Sequence, residues 1–278
     1  MGFKDLLVVL DASPASQTRL TLAASLALRF SSHLIGLHPS STAMDSYMSG
    51  SFDSTLLDAA MREHLSRLEA RSAQVRSAFD RMVQTTGLSA EWRVARGFPG
   101  PDTALHARYV DLAIVGQRRP QDDALDDPDP ADVVMNSGGP VLVVPYVGRF
   151  ETIERHALVA WNASNQAARA VRDALPLLKQ CKAVTVLAVN PRQGGAAHGA
   201  EPGADIALHL ARHGVTVELS SSVAAVDPAD EILSRASDYG SDLIVMGAYG
   251  RPRLRELVLG GVTRSILGQM TVPVLMAH

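Results

Sequence analysis

Short runs of Val, Ile and Leu alternate along this chain with longer stretches in which apolar residues recur every three or four positions. The short runs predict strands and the periodic stretches predict helices. In the first half the runs are LLVVL (6–10), HLIGL (33–37), EWRVA (91–95), DLAIVG (111–116) and PVLVVP (140–145). In the second they are ALVAW (157–161), AVTVLAV (183–189), VTVEL (215–219), DLIVMG (242–247) and PVLMA (273–277). Several are almost wholly apolar. Strands covered by helices on both faces read this way, so the pattern predicts an α/β fold with a parallel sheet.

The two series match in order and wording. LDAS (10–13) answers WNAS (161–164), ARYVDLAIVG answers SDYGSDLIVMG, and GPVLVVP answers VPVLMAH. Two copies mean two similar domains in tandem, not a solenoid. The polar stretch YVGRFETIER (146–155) separates them, giving domains 1–147 and 153–278. The first copy is longer between its second and fourth strands. The excess is STAMDSYMSGSF (41–52) and a long helix predicted from Ser54 to about Thr85. Leu57, Met61, Leu65, Leu68, Val75, Phe79 and Met82 form its apolar side, which is read as core packing. Met44, Tyr47, Met48 and Phe52 fit a lid, but a plain loop is the reading adopted.

The stretch GAYGRPRLRELVLGG (247–261) concentrates four of the chain's 21 glycines. In an open parallel sheet, ligands bind beyond the carboxyl ends of the strands. Gly247 closes the fourth strand of the second copy, and Gly250 can take a positive φ. RPRLRELVL predicts one or two helical turns. Gly260 and Gly261 then open an amphipathic helix, VTRSILGQM. Free N–H groups and the positive end of the helix dipole suit an anion there. The phosphate loops GxxxxGK[ST] and GxGxxG are absent.

The corresponding stretch of the first copy, GQRRPQDDALDDPDP (116–130), differs in kind. Gly116 is kept, but Arg119 stands for Gly250 and Asp129 for Gly260. Asp122, Asp123, Asp126, Asp127, Asp129 and Asp132 crowd the region. Each carboxylate ~4 Å from a phosphate charge costs about 1 kcal/mol even in bulk water. Pro128 and Pro130 remove or constrain N–H donors. The first copy is therefore expected to be a degenerate phosphate site. Calcium is the sharper alternative for so many Asp, but the EF-hand order with its central Gly is missing. A solvated acidic loop is preferred.

With DLIVMG before it and an amphipathic helix and PVL after it, G-x2-G-x9-G-x resembles the ATP-binding signature of the universal stress protein family. The resemblance covers nearly the whole chain, twice. It implies that each domain is a five-stranded parallel doubly wound sheet (adenine nucleotide α-hydrolase-like). It also implies a pseudo-dimer of the two domains through their last strands, PVLVVP against PVLMA. Carried over by motif, the nucleotide contacts fall on the second domain. Ala160, Trp161 and Asn162 would meet adenine and ribose, Val189 would line the base pocket, and Met246 and Gly247 would lie beside the ribose. Gly250, Gly260, Gly261 and Val262 would offer backbone groups to the phosphates, with Arg251 balancing charge. The implied cofactor is ATP or a related adenine nucleotide, optionally with Mg. Two departures stand out. Asn162 replaces the family's usual acid, which weakens the case for a metal. Gly261 stands where Ser or Thr is common, so Thr263 is the nearest hydroxyl.

Bulk properties narrow the classes. Hydrophobic residues make up 46%, enough for a real core. Up to Phe150 there are 14 Lys and Arg against 17 Asp and Glu, and beyond it 12 against 12, so no basic surplus favours nucleic acid. The single cysteine, Cys181, excludes an internal disulfide and a Cys-based zinc cluster, and no activating partner adjoins it. No apolar run reaches ~18 residues, so no membrane span is expected. MGFKDLLVVLDAS lacks secretory or myristoylation signals. A cytoplasmic location is expected. Asp205, His209 and His213 share a helical face, but HLARH is not HExxH, so a polar outer face is preferred to zinc. Ser13, Ser16 and Ser164 precede helices without a GxSxG elbow and are read as caps.

The expected function is nucleotide binding by the second domain in a regulatory or protective stress role, with an unnamed protein partner and further dimerisation left open. One alternative is a nucleotide-independent interaction protein. Another is a slow ATP hydrolase, for which Asn162 is neutral and Glu256 is the lone acid of the glycine loop. No catalytic residue is assigned.

Overall fold

The computed structural model describes residues 2–40, 55–119, 127–191, 201–249 and 261–278. The first half runs β1 (Asp5–Val9), α1 (Pro14–Phe30), β2 (His33–Pro39), α2 (Thr55–Thr86), β3 (Ala90–Ala95), α3 (Pro99–Ala107), β4 (Leu112–Gly116), α4 (Pro130–Asn136) and β5 (Val141–Val144). The second runs β6 (His156–Ala160), α5 (Asn165–Leu178), β7 (Ala183–Val189), α6 (Ala204–Arg212), β8 (Val217–Ser222), α7 (Pro228–Asp238), β9 (Leu243–Gly247), α8 (Gly261–Gln269) and β10 (Val274–Ala277).

All ten strands join one sheet in the order β3-β2-β1-β4-β5-β10-β9-β6-β7-β8. Each half is a five-stranded parallel sheet. Among the described residues the only antiparallel pairing is β5 with β10. Leu142 stands opposite Leu275, flanked by Val143 with Val274 and Val141 with Met276. Since PVL occurs once in each copy, this register puts equivalent leucines face to face on a local two-fold axis. The sheet therefore continues through the pairing that joins the halves.

Helices cover both faces. One core layer packs Leu6, Val8 and Leu10 against α1, with Val75 and Phe79 of α2, Val171 and Leu177 of α5, and Leu210 of α6. The other packs Leu7 and Val9 with Val133 of α4, Ile232 of α7 and Ile266 of α8. The side chains of Leu57, Met61, Leu65 and Leu68 lie outside the described residues, as do Met44, Tyr47, Met48 and Phe52. The third strand of the second half starts two residues later than VTVEL suggests. Val215 is buried, and its N–H donates to Leu210 O (3.1 Å), closing α6 before the strand begins. The strand then continues into Ser220–Ser222. β8 is an edge strand, where polar residues are tolerated.

The repeated Asp of VDL and SDL has a structural task. The Asp242 carboxylate accepts N–H bonds from Glu154 (3.1 Å), Arg155 (2.9 Å) and His156 (3.0 Å). Asp111 likewise accepts from Lys4 (2.5 Å) and Asp5 (3.1 Å). Each aspartate, just before the fourth strand of its copy, clamps the start of the first. Asp242 is 5% exposed, whereas the Asp111 bonds are solvent-exposed. Asp242→Ala is expected to destabilise by about 3 kcal/mol and Asp111→Ala by less, since the buried N–H groups lose a charged acceptor. Urea unfolding of both variants checks this, and equal losses would contradict it.

Candidate functional site

The strand order reverses direction between β1 and β4, and again between β6 and β9. A crevice at the carboxyl ends of such strands is where doubly wound sheets take ligands. In the second half, Ala160 and Met246 pair side by side at this point. Trp161 donates its N–H to Leu187 O (2.8 Å) and packs against the core. Exposed Asn162 accepts from Ser164 N–H (3.1 Å), and Ser164 accepts from Ala167 N–H (3.1 Å), capping α5. The cap holds the helix start against the end of β9. A Cβ built on Gly247 would lie 2.4 Å from Ala167 N and 2.5 Å from Gln166 C. Gly247 is therefore required by close packing of two backbones.

Backbone strain collects at this crevice. Among the described residues, four non-glycine residues have positive φ, and three of them follow the ends of β6, β7 and β9: Ala163 (55°), Asn190 (48°) and Tyr249 (59°). Ala12 and Arg118, the counterparts of Ala163 and Tyr249 in the first copy, are not among the four. Left-handed backbone costs an alanine or tyrosine about 1–2 kcal/mol. Tyr249 N–H donates to Thr263 Oγ1 (3.4 Å), tying the end of β9 to the first turn of α8. The Thr263 hydroxyl is buried in that tie, so using it on a phosphate would give up the bond. Exposed Gly261 opens α8, and no atom of the described residues lies within 4 Å of where a Cβ would stand. Val189 and Val262 are half-buried on the same face as Met246. Gly250, Arg251 and Gly260 lie outside the described residues. The Tyr249 hydroxyl is buried without a hydrogen-bond partner among the described residues. Burial first, then the charges of Asp129 and Asp132, push it up to about 12.

The first-half crevice is filled from within. Arg19, on the buried stripe of α1, sends its guanidinium to the carboxyl ends of β1 and β4. Its Nε donates to Val9 O (2.6 Å) and its Nη2 to Asp11 Oδ2 (2.6 Å). A Cβ on Gly116 would lie 2.1 Å from its Nη1. The residual cavity, lined by Val9, Asp11, Arg19 and Gly116 among others, is about 30 Å³. Asp11 also accepts from Ser13 N–H (2.6 Å). Burial alone would raise its carboxyl. Arg19 and the Ser13 bonds outweigh burial and hold it below its ordinary value of 3.8. Asp129 accepts from Ala131 N–H (2.9 Å), so a carboxylate already caps α4.

Between the halves lies a cavity of about 330 Å³, lined by Arg118, Arg119, Asp129, Pro130, Tyr146, Leu267 and Gly268. Gln117 is buried beside it. Its Nε2 donates to Leu267 O (2.9 Å) and its Oε1 accepts from Tyr146 N–H (3.3 Å). Neither Arg19 nor Gln117 stood out in the sequence. Setting the copies side by side exposes both, because six residues beyond each capping serine stand Arg19 and Ala170, and directly after each strand-ending glycine stand Gln117 and Ala248.

The remaining candidates are structural. Ser13 accepts from Ser16 N–H (3.3 Å), capping α1, while Ser16 Oγ accepts from Asp11 N–H (3.0 Å). Cys181 Sγ donates to Leu177 O (3.4 Å), and burial pushes its thiol up to about 12, which makes it a poor nucleophile. The His209 and His213 rings lie 4.6 Å apart. Among the described residues no group of three or more His, Cys, Asp or Glu side chains is placed to hold a metal ion. No helix of the described residues is long and apolar enough to cross a membrane.

A family model described as the universal stress protein family matches residues 2–145 and again 154–278. Universal stress protein MJ0577 of Methanocaldococcus jannaschii is 42% identical over 48 residues, 17% of this chain, and the match spans 30% of that relative's length. A solved universal stress protein from Archaeoglobus fulgidus aligns over 98% of this chain and 95% of its own, with a TM-score of 0.71 at 17% identity. A universal stress protein solved in complex with cAMP aligns over 53% of this chain and all of its own, with a TM-score of 0.37 at 21% identity.

Two outcomes test the contrast between the crevices. Ala163→Gly relieves left-handed strain and is expected to stabilise by about 1 kcal/mol, whereas Ala12→Gly stabilises nothing; thermal unfolding of both decides it. Asp11→Asn is expected to cost about 1.5–3 kcal/mol at pH 7, the range for a hydrogen bond to a charged group. A carboxyl held low in the folded state stabilises above its unfolded value and loses that contribution as pH falls through its folded value. The gap between wild type and Asp11→Asn should therefore shrink below about pH 3.8. A gap that stays constant between pH 7 and pH 3 in urea titrations would contradict this.

Proposed function

Because this chain belongs to the universal stress protein family, we propose that its second half binds ATP or a related adenine nucleotide and serves a regulatory or protective role in the stress response. The observation that carries this reading is the strain after β6, β7 and β9, absent at the described counterparts Ala12 and Arg118. Strained backbone that packing must hold in place concentrates at ligand sites. Packing around Gly247 supports the same reading, since it brings the start of α5 to the end of β9. The α8 start adds N–H groups and the positive end of a helix dipole. Met246, Val189 and Ala160 offer an apolar wall for a base, and Asn162 an exposed amide for a ribose.

The nucleotide fits this backbone-rich donor set better than Mg does. Ala160 to Asn162, Val189 to Asn190 and Gly247 to Tyr249, which end the three strands, include no carboxylate. Asn162 Oδ1 is engaged with Ser164 N–H. Binding therefore rests on the chain's own donors, and no hydrolytic step is assigned. The first half, with Arg19 in its crevice and Asp129 on its helix start, is read as a degenerate copy that leaves one nucleotide per chain.

The direct test is to purify the native protein, denature it, and resolve what is released, then titrate ATP by calorimetry. One adenine nucleotide per chain is expected. Gly247→Val, whose side chain collides with Ala167 N, should lower affinity at least tenfold with the circular dichroism spectrum retained. Neither released nucleotide nor heat of binding in folded wild-type protein would overturn the proposal.

A further inference from the structure

The inner end of the first-half crevice, at the ends of β1 and β4, is filled by an arginine whose place in the second half is taken by Ala170. Arg19 is 3% exposed and anchored at two points: Nε to Val9 O and Nη2 to Asp11, both at 2.6 Å. The third nitrogen of its guanidinium lies over the Cα of Gly116, where a Cβ would meet it at 2.1 Å. These contacts span the reversal point between β1 and β4, the place a ligand would enter. In the second half the equivalent position is Ala170, buried in the core and too short to reach the strand ends. Only about 30 Å³ remains beside Arg19, room for a water molecule and far below the volume of a nucleoside.

We propose that Arg19 acts as a built-in occupant of the first-half crevice, excluding a nucleoside from it and thereby setting the number of sites per chain. The guanidinium takes both groups a nucleoside would use: the Val9 carbonyl at the strand end, and the Asp11 carboxylate, an acceptor suited to ribose hydroxyls. Asp11 survives in this copy where Asn162 stands in the other, yet its outward oxygens are spent on Arg19 and Ser13. The exclusion is independent of the acidic residues that follow, since those oppose phosphates and not a nucleoside.

The choice of probe rests on the nucleotide reading of the second half, but the outcome does not. Adenosine, which has no phosphate and so removes Asp129 from the comparison, is titrated by calorimetry into wild type and Arg19→Ala. Both are also measured with Gly247→Val added, which disables the second crevice. Arg19→Ala is expected to gain one adenosine site per chain over its parent in each background. A folded Arg19→Ala protein with no gain overturns the proposal. If wild type binds neither adenosine nor ATP while Arg19→Ala gains one adenosine site, the second-half reading fails and this one stands. Arg19→Leu, which keeps apolar volume but cannot reach Val9 O or Asp11, replaces the alanine variant if that one does not fold. It too should gain a site, and no gain overturns the proposal. Gly116→Ala supplies a check without ligand. It should lower the melting temperature clearly in wild type, and an unchanged temperature would show that the guanidinium does not occupy this place.

Discussion

The antiparallel contact between β5 and β10 is the constraint on which the rest of the molecule depends. Among the described residues nine pairings join ten strands, and the other eight are parallel within one half or the other. Leu142 and Leu275, both fully buried, meet across the local two-fold axis. Because the axis passes through this pair, the two halves present their crevices in related orientations. Neither half leaves its last strand as an exposed edge. The edges that remain, β3 and β8, lie at opposite extremes of the sheet, and β8 carries Glu218 and Ser220–Ser222, which discourage further pairing.

Within this symmetric frame the two crevices have diverged by opposite means. In the second, the glycine at the end of β9 admits the backbone of the first turn of α5, and three residues hold left-handed conformations after the ends of β6, β7 and β9. In the first, the glycine at the end of β4 admits a guanidinium, and the described counterparts Ala12 and Arg118 are relaxed. The same residue type, Gly116 or Gly247, is demanded by close approach in both, but what approaches differs. Motif identity alone therefore says little about occupancy. What the glycine faces is set by the helix that follows the first strand of its copy: the Arg19 guanidinium at Gly116, the backbone of Gln166 and Ala167 at Gly247.

Much of the fold was legible in the sequence because strands buried on both faces must be apolar nearly throughout, and because the pattern was written twice. The inner strands were readable this way, whereas the half-exposed edge strands β3 and β8 carry the signal only weakly. The displacement of β8 was not, since Val215 is apolar in order to close α6, a task that looks the same as a strand position. At the site, Ala160, Asn162, Met246 and Gly247 gather at one crevice, as their places at strand ends suggest. Arg19 was hidden because an arginine in an amphipathic helix ordinarily belongs to the solvent face. Its position on the stripe of Ser16, Ala23 and Leu26 is the clue that it points inward. The conformations of Ala163 and Tyr249 had no local signal, since neither residue favours positive φ. They are imposed by the cap on α5 and the tie from Tyr249 to Thr263.

The bond from Gln117 to Leu267 gives α8 an unequal pair of ends. Its final turn is fastened to the first half through a buried amide, while its first turn is held by the longer bond from Tyr249 N–H to Thr263 Oγ1 (3.4 Å). A rod held at both ends, by a shorter bond at its final turn than at its first, yields more readily at the first. An adjustment of α8 at its start would therefore turn about the Leu267 carbonyl, whose donor, Gln117, belongs to the opposite half of the molecule. Strain generated there would be felt at the end of β4, next to Gly116, along a path of one side chain.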